Sequence, residues 1–388
     1  MKTIRISKEL SYSGIEAFLA QLNEGPTQIV IPGKIQMGGV AGLDARLMQL
    51  LITAFIGNSS NCLRLYMEKA SLEDQTAVRM MEKALWIGAV WAAPEVLRWS
   101  KGESGCAQPI ERNQLLTLGK STMDDLDSLH PRIKGRQLEA VFLEGSKSKN
   151  YLASFYADSV RHKDALSLPG NIDGSLRTRS EYVDLVLKVA GAEVHGSLTP
   201  SVIEAVAHCL RELMENSDVH GMSTANSDSI ERGVRYVAIK VKYLRSDKAA
   251  DVFGDDVFLQ SYGESMVSSD KTTTPILEVS VVDSGPGIPD CLRPVFEGGG
   301  EAVPDSVLIK KSLDRGVTSL LGPGKRHGFG LFHLSRHLQR NGGLATIRSG
   351  TGRFDLRYGS DVPIVNHQDN LAPVRGTSVT IMMPVREK

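Results

Sequence analysis

An excess of charge of one sign is missing from this chain. Its 388 residues carry 45 Lys and Arg against 45 Asp and Glu, so the formal net charge is zero. A disordered acidic or basic tail needs low hydrophobicity and strong imbalance, and 41% of these residues are hydrophobic. The global basic excess that marks many nucleic-acid binders is absent too. Nucleic acid is therefore not the expected partner, although a balanced total can hide a local basic patch. Cysteine is scarce. Cys62, Cys106, Cys209 and Cys291 lie far apart and form no CxxC pair. That argues against a zinc knuckle or a redox dithiol and fits reduced thiols. Long hydrophobic runs are also missing. The longest, Leu47 to Gly57 and Leu85 to Ala93, fall short of the ~20 residues of a membrane-spanning helix. The opening MKTIRISKEL has no apolar run behind its charges, so no secretory signal is expected. These absences set the expectation of a soluble, cytoplasmic protein without membrane contact. At this length more than one domain is the default.

What is present falls into three parts. In residues 1–100, strand-like runs at Thr3–Ile6, Gln28–Ile31 and Asn61–Tyr66 alternate with helix-like runs at Tyr12–Leu22 and Val40–Phe55. That order predicts a small β-α-β-α-β layer for regulation or interaction. One or two apolar helices with Trp86 and Trp91 are expected over 72–98. Residues 101–174 read as a connector, with Leu138–Leu143 a strand candidate inside it. Within it, 131–163 hold seven positive charges against three negative, the pattern of a solvated face. From 175 to 388 the signals sharpen. Helices are predicted at 178–190, 201–217 and 330–341. Strands are predicted at 234–244, 276–282, 343–348, 352–358 and 376–383. Residues 246–275 hold six acids and two bases and read as a mobile acidic insertion. The fold class expected is α/β, an α+β sandwich.

Four motifs carry chemistry. Glu212 and Asn216 stand four apart, one turn apart on one helix face. A carboxylate and an amide so placed can hold a metal-bound phosphate and a water, or simply face solvent. Asp283-Ser-Gly285-Pro-Gly287-Ile288 follows the strand ILEVSVV directly. A buried acid is costly unless it meets a donor, and glycine lets backbone approach a ligand. The bland alternative is a tight turn with Asp283 as its Asx residue. Gly322-Pro-Gly324-Lys325-Arg326-His-Gly328-Phe-Gly330-Leu331 runs into the helix at 330. A glycine-rich loop feeding a helix start offers N–H groups and a positive dipole end to phosphate, or is a flexible loop with a cap. Gly376-Thr377-Ser378 opens the last strand and carries no meaning alone.

In order and spacing these four together resemble the GHKL superfamily, the Bergerat-fold ATPases of gyrase, heat-shock chaperones, histidine kinases and mismatch-repair proteins. Glu212…Asn216 resembles the N box, Asp283 to Ile288 the G1 box, and Gly328-Phe-Gly-Leu the G2 box. Gly376-Thr-Ser resembles the closing adenine-side motif. The resemblance covers roughly residues 175–388 and implies a mixed sheet packed on helices. It implies that Asp283 accepts the adenine amino group, with Thr377 completing the contact through water. Asn216 would bind Mg²⁺. Gly285, Gly287 and Ile288 would let the nucleotide lie close, and Gly328, Gly330 and Leu331 would donate to the phosphates. Lys325 and Arg326 would neutralise phosphate charge, and residues 290–327 would form a lid. Glu212 matches the general base of hydrolytic members.

The departures also carry weight. Val219 stands where histidine kinases usually have Lys, though His220 matches a kinase-like position. The nearest phosphoacceptor mimic, His162-Lys-Asp, has the wrong spacing. The lysine domain of gyrase-type members does not follow, so fast hydrolysis is not expected. Leu118-Gly-Lys-Ser121 looks like the end of a P-loop, but Gln114 replaces its first glycine. The front half faintly resembles STAS-type regulatory domains, without a Ser or Thr in the loop 37–43. The expectation is an ATP- and Mg²⁺-binding switch with slow hydrolysis, acting on a protein partner or in a homodimer. The alternatives are a kinase for a separate protein and a scaffold that binds ATP without turnover.

Overall fold

The computed structural model describes residues 1–22, 25–33, 35, 39–56, 58–67, 74–100, 108–124, 137–145, 148–156, 176–195, 199–221, 230, 232–267, 272–296, 302–318, 330–359 and 362–385. The chain belongs to the α/β class, with one mixed and one antiparallel sheet.

The first layer is built from β1 (Lys2–Arg5), α1 (Tyr12–Leu22), β2 (Thr27–Ile31), α2 (Leu43–Phe55), β3 (Cys62–Tyr66), α3 (Gln75–Met81), α4 (Ala84–Ala92), β4 (Glu95–Trp99) and β5 (Gln108–Pro109). Strands β1 to β4 are parallel and lie in sequence order, and β5 closes the edge antiparallel to β4. Crossovers between parallel strands are almost always right-handed, so a sheet ordered 1-2-3-4 carries its connecting helices on one face. Strand β4 falls inside the range 72–98 that reads as helix, because Pro94 ends α4 and leaves the β-type run EVLRW. Next comes α5 (Arg112–Asp124). The P-loop mimic at Leu118–Ser121 lies in this helix, so it forms no phosphate-binding turn.

The second half comprises β6 (Gln137–Gly145), β7 (Ser148–Tyr156), α6 (Arg179–His195), α7 (Pro200–His220), β8 (Arg232–Arg245), α8 (Val257–Met266), β9 (Thr273–Asp283), α9 (Ile288–Phe296), α10 (Asp305–Lys311), α11 (Gly330–Asn341), β10 (Leu344–Gly350), β11 (Gly352–Arg357), β12 (Ile364–Gln368) and β13 (Val374–Pro384). Its strands form one sheet in the order β12-β11-β10-β13-β9-β8-β6-β7. Every pairing in it is antiparallel. The mixed sheet expected for 175–388 is therefore found in the front half instead. The sheet also starts earlier than expected. β6 and β7 come from the presumed connector, and β6 pairs with β8 along its whole length. Most of the basic cluster at 131–163, and His162, lie outside the described residues.

Both faces of the large sheet are covered. On one face, Val237, Ile239, Leu277, Val279, Val281 and Ile381 meet α6, α7 and α11. On the other, Val141, Val234, Tyr236, Ala238, Ile276 and Met382 join the core of the first layer. Helices α2 and α4 lie between the two sheets and touch β13, β6 and β8. This explains why α4, ALWIGAVWA, is apolar all round: a helix buried on every side needs no polar face. It also explains the near-continuous burial along β8 and β9, as expected of strands covered on both faces. A methyl group on Gly88 would sit 2.9 Å from Met48 Cε and 3.1 Å from Val141 Cγ2. The front layer is thus fused to the sheet. Polar groups seal the junction. Lys240 Nζ lies between the carboxylates of Asp44 and Glu139 (3.2 Å). Gly42 N donates to Glu278 Oε1 at 3.1 Å, and Gln49 Nε2 to Arg348 O at 2.8 Å.

The described part of the acidic insertion, 246–267 and 272–275, is folded, contrary to the expectation of mobility. It forms a 3₁₀ turn at Ala250–Phe253 and then α8, with Phe253, Leu259 and Tyr262 fully buried. Two of its acids, Asp255 and Asp256, have structural partners. Asp255 accepts from Tyr12 N (2.8 Å) and Ser13 N (3.0 Å) at the start of α1, and Asp256 pairs with Arg353 (2.5 Å). Asp256 also caps α8 through Leu259 N. Acid-rich sequence here marks helix caps and an ion pair rather than a solvated loop.

Candidate active site

Helix α7 begins at a Thr199 cap followed by Pro200, a favoured helix start. Its apolar stripe, Val206, Leu210, Leu213 and Met214, packs on the sheet. That orientation leaves Glu212, Glu215 and Asn216 on the wall of a cleft of about 380 Å³. The volume is within the usual range of small-molecule sites, roughly 300–1,000 Å³. Strand β9 delivers Asp283 to the cleft, and the turn after it delivers Gly287 and Ile288. Helix α11 contributes Gly330 and Leu331, and β13 contributes Thr377. Four motifs separated by up to 165 positions in the chain thus face one space. Val281, Leu292 and Val379 supply apolar walls.

Asp283 is strongly perturbed. Burial pushes its carboxyl up to about 6, against the opposing pull of backbone N–H donors from Gly285 and Thr377 and of Arg235 and Arg375. Gly285 N donates to Asp283 Oδ1 at 2.9 Å. The strand end is tightly enclosed. Gly376 has φ of 70°, and a Cβ there would fall 1.9 Å from Asp283 O, so only glycine fits. Thr377 is buried, with Oγ1 3.1 Å from Ser349 Oγ. Ser349 in turn accepts from Ile288 N at 3.0 Å and donates to Gly376 O at 3.0 Å. Ser349 therefore joins the Asp283 turn to the last strand. No spacing in the sequence pointed to it, because its role arises only when β10 and β13 pair.

Gly285 does not line the cleft. A Cβ on it would meet His220 O at 2.2 Å and Gly221 Cα at 2.9 Å. Its lack of a side chain lets the turn close against the end of α7, where Asp283 packs on Gly221. Gly330 sits where a Cβ would lie 2.6 Å from Glu212 Oε2 and 3.5 Å from Asn216 Nδ2. The start of α11 thus abuts the carboxylate and the amide, and its N-terminal dipole end favours an anion there. Lys325 and Gly328 lie outside the described residues, as does Arg326.

Glu212 Oε1 is 3.8 Å from both His208 Nε2 and Arg211 Nη1. Burial, then His337 and nearby cations, hold His208 down to about 4, so it is neutral at neutral pH. Among the described residues no group of three or more His, Cys, Asp or Glu side chains is placed to hold a metal ion. A cation here would need ligands from a bound phosphate as well as Asn216. Cys291 also lines the cleft. Burial, Asp283 and Asp290 push its thiol up to about 11, which leaves it a poor nucleophile. The described part of the expected lid is not a free flap. Helices α9 and α10 are pinned to the sheet by Asp305, which accepts from Thr351 N (2.7 Å) and pairs with Arg293 (2.5 Å). Val317 and Thr318 continue from them along the cleft wall.

Among the described residues no helix is long and apolar enough to cross a membrane. No family model matches the chain, and no curated protein matches it either.

Proposed function

We propose that this cleft binds Mg-ATP in the manner of the GHKL ATPases and that the chain works as a nucleotide-dependent switch in cytoplasmic signalling. One observation carries the reading: Glu212, Asn216, Asp283, Gly287, Gly330, Leu331 and Thr377 all line a single cleft. The residues present fit the ligand. A carboxylate at the end of β9 suits the adenine amino group, and apolar Val281, Leu292 and Val379 suit its ring faces. The start of α11, beside Asn216, suits the triphosphate and its Mg²⁺. Bound Mg²⁺ supplies charge neutralisation at the phosphates. Asn216 would help hold it there, and Glu212 would orient a water by accepting its hydrogen bond. The geometry also supports a switch. The strands that carry Asp283 and Thr377 touch the helices of the front layer on their other face, so a change at the cleft has a direct path to that layer and to a protein partner or second subunit.

Incubation with γ-labelled ATP tests the proposal. Slow release of free phosphate is the expected result. Label on protein favours a kinase, and intact bound ATP favours a non-hydrolysing scaffold. No bound ATP at all refutes the reading.

A further inference from the structure

A buried carboxylate needs a countercharge, and two arginines flank Asp283. They are Arg235 and Arg375, which oppose the upward push of burial alongside the N–H groups of Gly285 and Thr377. Arg375 is half-buried on β13, and its Nε donates to Ser284 O at 2.9 Å. Arg235 is 2% exposed, one of the largest fully buried side chains of the chain. On β8 it lies opposite Asp283 of β9 and opposite Phe142 of β6. Residues paired in this way project from the same face of the sheet, here the face of α7 and the cleft. The guanidinium stacks over the Phe142 ring at 4.8 Å, and Nη2 donates to Asp218 Oδ1 at 3.0 Å. Asp218 stands in the last turn of α7, two residues after Asn216. The same helix end packs on Asp283, since a Cβ on Gly221 would fall 2.5 Å from Asp283 Cβ. Two acids, Asp218 and Asp283, are thus matched by two arginines where α7, β8, β9 and β13 meet. The other titratable groups around them are Cys291 and Asp290 of α9, His220 at the end of α7 and Tyr182 of α6. Of these only His220 can become a cation.

We propose that Arg235 is a positioning residue of the cleft: it supplies the countercharge of Asp283 and ties the strand that carries this carboxylate to the last turn of α7. It touches no ligand and acts through Asp283 and Asp218. Stacking on Phe142 and the bond to Asp218 fix the guanidinium in place, so its charge reaches Asp283 from a constant direction. The same bond fixes the helix end that carries Asn216. The two ends of the cleft are therefore set relative to one another by one buried side chain. The consequence for nucleotide binding rests on the ATP reading, whereas the effect on the carboxylate does not.

The test uses the full chain with carbon-13 in its aspartate carboxyl groups, followed by NMR as pH is varied without nucleotide. The Asp283 signal is the one that Asp283→Asn removes. Removing a nearby cation disfavours the ionised carboxylate, so Arg235→Met is expected to move the Asp283 midpoint up by about one pH unit. Arg235→Lys keeps the charge and is expected to restore most of that shift. Asp218→Asn changes an exposed side chain and removes a negative charge, so it is expected to move the midpoint down; it decides the matter if Arg235→Met fails to fold. Mg-ATP affinity gives a second readout. Arg235→Met is expected to lose about fivefold at pH 6 and less than about twofold at pH 8, because the carboxylate ionises again at the higher pH. An Asp283 midpoint that stays put in Arg235→Met, or fails to fall in Asp218→Asn, overturns the proposal. So does a loss of affinity that is equal at both pH values, the mark of a residue that only braces the fold. Wild-type chain that binds no ATP refutes the nucleotide reading, and the carboxylate titration then decides the role of Arg235 alone.

Discussion

Replacing Asp283 with Asn separates the two roles a buried carboxylate can have. Burial raises this group from its ordinary value to about 6. Holding it ionised in the folded chain therefore costs up to roughly 3 kcal/mol. The sign follows from linkage. The folded-state value lies above the unfolded one, so stability is highest below about pH 4, falls as pH rises, and is fully reduced above pH 6. Asn carries no charge, so the variant escapes this loss but still buries a polar amide. A gain of about 1–3 kcal/mol is expected above pH 6, with no gain below pH 4. For a chain of this size each kcal/mol moves the thermal midpoint by about 1 °C. Nucleotide binding should change in the opposite direction. An ionised carboxylate accepts from the adenine amino group more strongly than a protonated one, so wild-type ATP affinity should rise as pH rises through 6. At ATP a hundred times the dissociation constant, binding adds about 2.7 kcal/mol to the wild type, and nothing to Asp283→Asn. Thermal melts between pH 4 and 8, with and without Mg-ATP, measure all of this. A variant that is less stable than wild type and still binds ATP normally would show that Asp283 is a structural turn residue.

The remaining predictions concern catalysis and the junction. Glu212→Gln should keep ATP affinity within about threefold and reduce phosphate release at least about 100-fold; full turnover would remove Glu212 as the base. Gly285→Ala should lower stability by about 1–3 kcal/mol and weaken ATP binding, since its Cβ would press on His220 O at 2.2 Å; a silent substitution in denaturant melts and ATP titrations would contradict the packing described. Glu16→Gln removes the charged partner of fully buried Arg348, which still donates to the carbonyls of Gly350, Gly352 and Ala372, and should cost about 1–2 kcal/mol in denaturant melts. Lys240→Met leaves Asp44 and Glu139 facing each other in the core and should be at least as damaging in the same melts.

Much of the fold was legible because periodicity is a local signal. Helices Tyr12–Leu22 and Gly330–Asn341 match their expected bounds, since each has its apolar stripe and its boundaries written in adjacent residues. Asp283, Asn216 and Thr377 were legible as site candidates only through the order and spacing of four motifs that together resemble the GHKL superfamily; Thr377 carried no meaning alone. What failed was non-local. The run Leu138–Leu143 was legible as a possible strand, but β6 and β7 were still assigned to a connector because their partner β8 lies far along the chain, beyond α6 and α7. The acidic insertion read as mobile because Asp255 and Asp256 find their partners, Tyr12 N and Arg353, some 240 positions before and 97 after. Ser349 and Arg235 carried no sequence signal at all. Their meaning depends on which neighbours surround them. The apolar circumference of α4 was a readable clue that was missed: a helix without a polar face implies a second sheet above it.

The most direct test of the account is a structure of the chain with Mg²⁺ and a non-hydrolysable ATP analogue. The account predicts the adenine amino group on Asp283, the triphosphate at Gly330 and Leu331, and Mg²⁺ beside Asn216. A nucleotide bound elsewhere, or a cleft that stays empty at saturating analogue, would contradict it.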